Sequence, residues 1–268
     1  MNATIEWAQL TPQLRVMASA ERALLVREDA QHDAPTLRFA SDVDQERATR
    51  FLLDAAIRAA YAAAREELVP AMTTTRWAWR LVGLYHLTHS TPRLLEGAAM
   101  RFEASGRDAL AEWARERARE ETFHDRLAIR DLAAMGYDAE RIVANVVPEV
   151  AGRLVEIFTR YATAADPIRC VGYAYALERL ATTVRAEDVK RIEAILPAGV
   201  RATRCLRVHS AIGSDGDHVA ETVRVVARCS AQERREVAIA VHETARLCFA
   251  PPPGGHPSDA QIAALLTR

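Results

Sequence analysis

The predicted fold of this chain is decided by the stretch Glu120-Glu-Thr-Phe-His-Asp-Arg-Leu-Ala-Ile-Arg-Asp-Leu-Ala-Ala-Met-Gly136. It forms the second half of a helix predicted from Asp108 to Met135, which Gly136 ends as a C-cap. The inward seam of that helix has residues three and four apart: Leu110, Trp113, Arg117, Glu121, His124, Ala128, Leu132 and Met135. Most of this seam is apolar, so we expect the helix to pack inside a bundle.

Glu121 and His124 are the two residues of this helix that indicate a metal site. Burying a carboxylate and an imidazole costs several kcal/mol unless they pair with each other or bind a metal. The spacing E-x-x-H is the i, i+3 ligand pair of diiron carboxylate bundles, and the alternative is a Glu–His pair at the surface. A ferritin-like bundle needs a second E-x-x-H, which the sequence lacks. That architecture is therefore disfavoured, and other segments must complete a site.

A second segment contributes Glu178. Its helical neighbours are all apolar or aromatic: Val171, Ala174, Tyr175 and Ala181. The carboxylate is therefore predicted to face inward or to line a pocket. The alternative is an ion pair with an arginine at the edge of the bundle.

A third segment, predicted as one long helix over residues 200–228, contains His209, Asp215 and His218. His209 has apolar helical neighbours, and a lone histidine in that position is more often a core residue than a ligand. His218 lies nine residues later and points to the opposite side of an ideal helix. Two widened, π-type turns would bring both rings to one side, with Asp215 on the face of His218 and Asp217 pointing away.

Together the three segments supply three imidazoles and three carboxylates, a mixed nitrogen and oxygen set that suits iron or manganese. If the helices converge, the sequence predicts a non-haem metal oxidase or oxygenase. Weaker histidine candidates are His86 and His89, expected in the core or a pocket wall, His242, which has no spaced partner, and the linker residue His256. Arg117 could hold a substrate carboxylate, although a structural salt bridge is the commoner role for such a residue.

The bulk composition is that of a soluble globular protein. The 268 residues are 50% hydrophobic and 26% charged with a net charge of −1, so nothing favours nucleic acid or an anionic membrane as partner. We find neither a signal-peptide layout nor an apolar run of membrane-spanning length. The four cysteines stand singly, which favours reduced thiols and a cytoplasmic location.

Abundant Ala, Arg, Leu and Glu predict an all-α fold. Thr11-Pro12 is interpreted as a helix start, and further helices are predicted over about 42–68, 74–89, 92–104, 138–164 with a break at Pro148, 167–184 and 186–196. Capping boxes at Ser230 and Ser258 predict two more helices. We expect a single helical metal-binding domain over 1–250, followed by a Pro/Gly linker and a short, loosely attached helix over 251–268.

The spacing of the ligand candidates resembles that of the haem-oxygenase-like diiron oxidases and oxygenases, which have a seven-helix core and are related in fold to the TenA and PqqC proteins. Members place Glu and His on one helix, a Glu on a later helix and His-x3-Asp-x2-His on a third. Here His124 to Glu178 is 54 residues and Glu178 to His209 is 31. Two residues more than in that motif separate His209 from Asp215.

The resemblance implies two iron ions, Fe(II)/Fe(III), held by Glu121, His124, Glu178, His209, Asp215 and His218, with Asp217 and Glu120 as the alternative carboxylates. It also implies O2 as co-substrate and a peroxo-diferric intermediate. A small amine or amino acid would be N-oxygenated, cleaved at a C–C bond or desaturated, in specialised biosynthesis. An external electron donor and a homodimer are compatible with this interpretation.

Two rival functions remain. The first is a cofactor-independent enzyme like TenA or PqqC, for which Cys170 would be the candidate nucleophile. The second is a non-catalytic helical binding protein, in which the histidines contribute to stability alone.

Overall fold

The computed structural model of the protein describes residues 5–27, 42–64, 69–210 and 215–267; the side chains of residues 215 and 216 are outside this description. Three strands come first: β1 (Glu6–Thr11), β2 (Leu14–Ala18) and β3 (Ala23–Arg27). The helices that follow are α1 (Asp42–Ala64), α2 (Thr74–Ala104), α3 (Asp108–Glu121), α4 (Asp125–Ala134), α5 (Ala139–Asn145), α6 (Glu149–Thr163), α7 (Arg169–Ala181), α8 (Ala186–Ile195), α9 (Arg204–Val208), α10 (Asp215–Ala227), α11 (Ala231–Phe249) and α12 (Asp259–Leu266).

The N-terminal strands correct one prediction. Thr11-Pro12 does not start a helix; instead Pro12 and Gln13 form the turn between β1 and β2 in an antiparallel sheet ordered β1-β2-β3. Burial alternates along β1, and its buried Ala8 and Leu10 belong to the same core as α1 and α11. An ion pair between Glu6 and Arg234 also ties β1 to α11. The sheet is therefore a small addition to an otherwise helical body.

Helix α2 is longer than predicted, because it passes through Pro92 instead of ending before it. A proline inside a helix costs about 3 kcal/mol. Beyond it, however, Leu94, Leu95 and Phe102 are buried, and each such side chain contributes about 1.5–3 kcal/mol. The hydroxyl of Thr91 also donates to the carbonyl of Leu87, at 2.8 Å. Burial therefore outweighs the local penalty.

Two apolar clusters fill the interior. We call the first core the cluster that contains Phe102, Phe158 and Tyr173, and the second core the cluster that contains Trp77 and Ile142. The first half of α2 packs in the second core and the second half packs in the first core, so α2 connects them. Helices α7 and α11 approach closely at Gly172, where an added Cβ would lie 2.4 Å from the carbonyl oxygen of Val237.

The C-terminal helix is packed more firmly than the expected loose attachment. Ile262 and Leu266 are buried in the second core. Asp259 accepts a hydrogen bond from Thr73 at 2.6 Å and pairs with Arg76 at 2.8 Å, which anchors α12 to the start of α2. Among the described residues, no helix is both long and apolar enough to cross a membrane.

Candidate metal centre

The helix predicted from Asp108 to Met135 is interrupted at the proposed ligands. Helix α3 ends at Glu121, α4 begins after His124, and Phe123 between them has a φ of 70°. A left-handed backbone is costly for a bulky side chain, and such strain concentrates at functional sites. The Phe123 side chain is 75% exposed, whereas Glu121 and His124 turn inward with His124 Nδ1 and Glu121 Oε2 3.3 Å apart. The tight turn thus holds both residues at one place.

The third segment is also divided. Helix α9 ends at Val208, His209 is its C-cap, and α10 starts at Asp215, so the prediction of one widened helix carrying both histidines is wrong. His209 lies against His124, with ring centroids 4.8 Å apart and planes at 78°. The ligand atoms of Glu121, His124 and His209 all lie within 4.8 Å of one another. We call these three residues the first half-site.

His218 extends the cluster from α10 towards α7. Its Nδ1 is 3.9 Å from Oε1 of Glu178, and its Nε2 is 3.5 Å from Oε2 of Glu120. The His218 side chain is 10% exposed, so it faces the interior. We call His218 and Glu178 the second half-site. The indole of Trp113 donates to Thr222, whose hydroxyl donates to the carbonyl of His218, and this chain of hydrogen bonds fixes α10 against α3.

The two half-sites influence each other electrostatically. Burial would raise the pKa of Glu121, but its hydrogen bond with His124 and the nearby rings of His209 and His218 more than offset this, and the pKa lies below its ordinary value. Burial lowers the pKa of His209 and of His218, and for His218 the charge of Arg117 adds to the effect. Near neutral pH the cluster therefore combines the ionised carboxylate of Glu121 with the neutral imidazoles of His209 and His218.

Arg117 is buried, with 3% of its side chain exposed, and it pairs with both Glu120 and Glu221. Its guanidinium is thus already bound by two carboxylates, so it is a structural ion pair and not a free anchor for a substrate. Burial raises the pKa of Glu120, while Arg117 opposes this change. The contact between Glu120 and His218 could not be predicted from spacing, because it depends on how α3 and α10 are placed.

Of the six predicted ligands, five lie in the two half-sites, and the side chain of Asp215 lies outside the described residues. Asp217 is exposed. The weaker candidates lie elsewhere: His86 bonds the carbonyl of Val146, His89 pairs with Asp125, His242 is buried in α11 and His256 is exposed in the linker. Cys170 is fully buried, and burial raises the pKa of its thiol.

Comparisons with known proteins identify the architecture. The crystal structure of a domain of unknown function with a haem oxygenase-like fold, from Shewanella denitrificans OS217, has a TM-score of 0.58 and 18% identity, covering 86% of this chain and 94% of that one. A TenA homologue from Pseudomonas syringae pv. tomato DC3000 has a TM-score of 0.59 and 14% identity, covering 82% and 96%. The fold is haem-oxygenase-like. No protein-family model and no curated protein matches the sequence.

Identity this low shows the fold alone. It confirms the predicted all-α, haem-oxygenase-like class. The metal, the substrate, the electron donor, the homodimer and the cytoplasmic location stay predictions.

Proposed function

We propose that this protein is a non-haem diiron enzyme that activates O2 to oxidise a small amine or amino acid by N-oxygenation, C–C cleavage or desaturation. The observation that carries the proposal is the first half-site, in which one carboxylate and two imidazoles from separate helices bring their ligand atoms within 4.8 Å. Such donors suit iron, and the fold offers an interior in which to bury them.

The geometry fits ions of the expected size. Nitrogen and oxygen ligands bind a first-row ion such as zinc at about 2.0–2.2 Å, so two ligands of one ion are at most about 4.3 Å apart. The first half-site therefore has to contract by about half an ångström to close on an ion. Glu178 Oε1 and His218 Nδ1, 3.9 Å apart, already fall inside that limit. The second half-site is thus suited to a second ion.

The protonation states support the same interpretation. Metal ligands must be deprotonated, and a protonated imidazole has no lone pair to offer. The lowered pKa values of His209 and His218 keep both rings neutral, and the lowered pKa of Glu121 keeps its carboxylate charged. No proton has to be removed near neutral pH before an ion can bind these three groups.

Glu120 orients His218 in this proposal. If Nδ1 of His218 faces Glu178 and the ion, Nε2 carries the proton and faces Glu120, 3.5 Å away. A carboxylate behind a ligand histidine fixes the ring orientation and makes the ligand more basic. Arg117 Nη1 pairs with the same oxygen, Oε2 of Glu120, at 3.0 Å. Glu121 is accordingly the ligand, and Glu120 is a positioning residue.

When bound, two ferrous ions would supply the electrons that activate O2, and an external donor would restore them. The residues of the two half-sites would hold the ions, burial keeps the imidazoles of His209 and His218 neutral, and packing excludes bulk water from the buried face of α3. The substrate is expected to bind in the interior beside the cluster.

The TenA homologue among the structural neighbours favours one rival, a cofactor-independent enzyme of the same fold. A TenA-like mechanism with a cysteine nucleophile would need a reactive thiolate. The fully buried Cys170, with its raised pKa, does not meet this requirement. The second rival, a helical binding protein, predicts that the clustered histidines affect stability alone.

Anaerobic titration with Co(II) and Fe(II), followed by metal analysis, tests the proposal. We expect about two ions per chain, loss of at least one ion in H124A and H218A, and unchanged binding in the control H256A, which changes an exposed histidine. Mixing the ferrous protein with O2 in a stopped-flow spectrometer should give a transient visible band that H124A lacks. Wild-type protein that binds no metal, or histidine variants that lose stability but no metal, would overturn the proposal.

A further inference from the structure

A buried carboxylate joins α4 and α9, the two helices beside the paired histidines of the first half-site. Asp131 of α4 has no exposed surface, and each of its two oxygens accepts a hydrogen bond from α9. Oδ2 accepts from the backbone N–H of Cys205 at 2.9 Å, and Oδ1 accepts from the guanidinium of Arg204, also at 2.9 Å. The carboxylate therefore binds the first turn of α9 through both the main chain and a side chain.

Asp131 and His124 lie on the same face of α4. His124 is the N-cap of this helix and lies seven residues before Asp131, a separation of about two helical turns. The same face carries Ala128 and Leu132, which pack in the second core together with Cys205 of α9. Helix α4 thus faces α9 with an imidazole at its start and a carboxylate near its end.

Helix α9 runs in the opposite direction along this face. Asp131 binds its first turn, and His209 is the C-cap at its other end, where the backbone N–H of His209 donates to the carbonyl of Cys205 at 3.1 Å. There the ring of His209 lies against the ring of His124, with centroids 4.8 Å apart. The two helices are therefore joined at both ends, by the ligand pair at one end and by Asp131 at the other.

The residue that starts α9 does not supply this link. The N-cap residue Thr203 makes no side-chain capping bond, and its hydroxyl donates instead to Glu193 of α8 at 2.9 Å. Asp131 takes the place of a local cap by accepting the N–H of Cys205, the second residue of α9. A hydrogen bond is directional, whereas apolar contact is not, so this bond fixes the position of α9 along α4.

Stability alone does not account for a carboxylate at this position. Burial raises the pKa of Asp131, and the bonds from Cys205 and Arg204 oppose this change without cancelling it, so part of the desolvation cost remains. Apolar residues of similar volume often stabilise a protein as well as a buried ion pair does. The directional bond to α9 is what an apolar residue could not provide.

We propose that Asp131 is a positioning residue that holds His209 against His124. The ligand atoms of the first half-site lie within 4.8 Å of one another and must approach to about 4.3 Å to share one ion. Any added separation of α4 and α9 therefore weakens metal binding. Asp131 acts only through the hydrogen bonds that hold α9. Its effect on metal affinity rests on the proposed function, whereas its effect on the two rings does not.

Two measurements test this role, and the first needs no metal. In metal-free protein with labelled histidines, the ring protons of His124 and His209 should give a nuclear Overhauser cross-peak, assigned by its absence in H124A and in H209A. D131V fills the space of the carboxylate without an acceptor, so it should lose this cross-peak. It should also bind Co(II) about 10–100-fold more weakly, the usual effect of removing an outer-shell partner at a metal site.

D131N is the conservative variant, and L95A is the control for stability. D131N keeps an oxygen for the N–H of Cys205, so it should keep the cross-peak and bind Co(II) within about threefold of the wild type. L95A removes a buried leucine of the first core and lowers stability away from α4 and α9. Its folded fraction should keep both signals, so a loss in D131V alone separates positioning from general destabilisation.

Three results would overturn the inference: D131V that keeps either the cross-peak or wild-type Co(II) affinity, D131N that loses as much affinity as D131V, or L95A that loses as much affinity as D131V. If D131V does not fold, D131A carries the test with the same expected losses. The two proposals fail separately. Wild-type protein that binds no Co(II) refutes the proposed function, while the cross-peaks still decide the role of Asp131. Co(II) binding that D131V retains refutes the positioning role alone.

Discussion

Substitution of Phe123 tests the interrupted helix at the metal centre. With a φ of 70°, a residue that has a Cβ costs about 1–2 kcal/mol more than glycine. Glycine also has more conformational freedom than alanine in the unfolded chain, which lowers the stability of the glycine variant by about 0.4–1 kcal/mol. F123G should therefore be more stable than F123A by about 1 kcal/mol. Loss of the ring is common to both variants and matters little, because the ring is 75% exposed.

The sign of this difference distinguishes the two backbones. In the continuous helix that the sequence predicts, alanine would be more stable than glycine by about 1 kcal/mol. Urea unfolding followed by circular dichroism gives both free energies, and equal m-values would show that the unfolded states are comparable. F123N should fall between the two variants, since asparagine tolerates the left-handed region. F123A more stable than F123G would refute the kink and the strain assigned to it.

Three further predictions concern packing, metal affinity and pH. G172A should lower the free energy of unfolding by at least about 2 kcal/mol, because the added Cβ would lie 2.4 Å from the Val237 carbonyl oxygen. In the control G83A the added Cβ would have an ordinary 3.6 Å contact, so this variant should be neutral or slightly stabilising in urea unfolding. E120Q should weaken Co(II) binding by about 10–100-fold while leaving stability within about 1 kcal/mol, and a loss under threefold would exclude its positioning role. Burial lowers the pKa of His242 to about 4, so the folded state favours the neutral ring. The contribution of this ring to the free energy of unfolding is complete above the unfolded-state pKa of about 6.5, and it is lost as the pH falls through about 4. Between pH 7 and pH 3 the wild type should therefore lose about 3 kcal/mol more than H242L in urea unfolding, and parallel losses would contradict this prediction.

Local signals in the sequence predicted the helix boundaries well where the determining contacts are local. The capping boxes at Ser230 and Ser258 form as expected, and Pro148 separates two helices. Pro92 misled the prediction because the burial of residues beyond it outweighs the cost of the proline. The turn at Phe123 has neither glycine nor proline to mark it. The N-terminal sheet was missed although β1 alternates, because the run is only six residues long and the remaining composition is strongly helical.

The candidate site was predictable as a set of residues but not as an arrangement. Charged side chains on apolar faces, such as Glu121 and Glu178, can be found by helical periodicity. The contact of His218 with Glu120 depends on the placement of two helices, which periodicity does not describe.

The docking of α12 decides where this protein can be shortened. The Pro/Gly linker before it is an inviting place to end an expression fragment. A fragment that ended there would lack Ile262 and Leu266, which pack in the second core with Trp77. The free energy of unfolding should fall by about 1.5–3 kcal/mol for each side chain lost. It would also expose an apolar groove to solvent and remove the ion pair between Arg76 and Asp259. Such a fragment should be prone to self-association, so purification tags belong after the last helix and not in place of it.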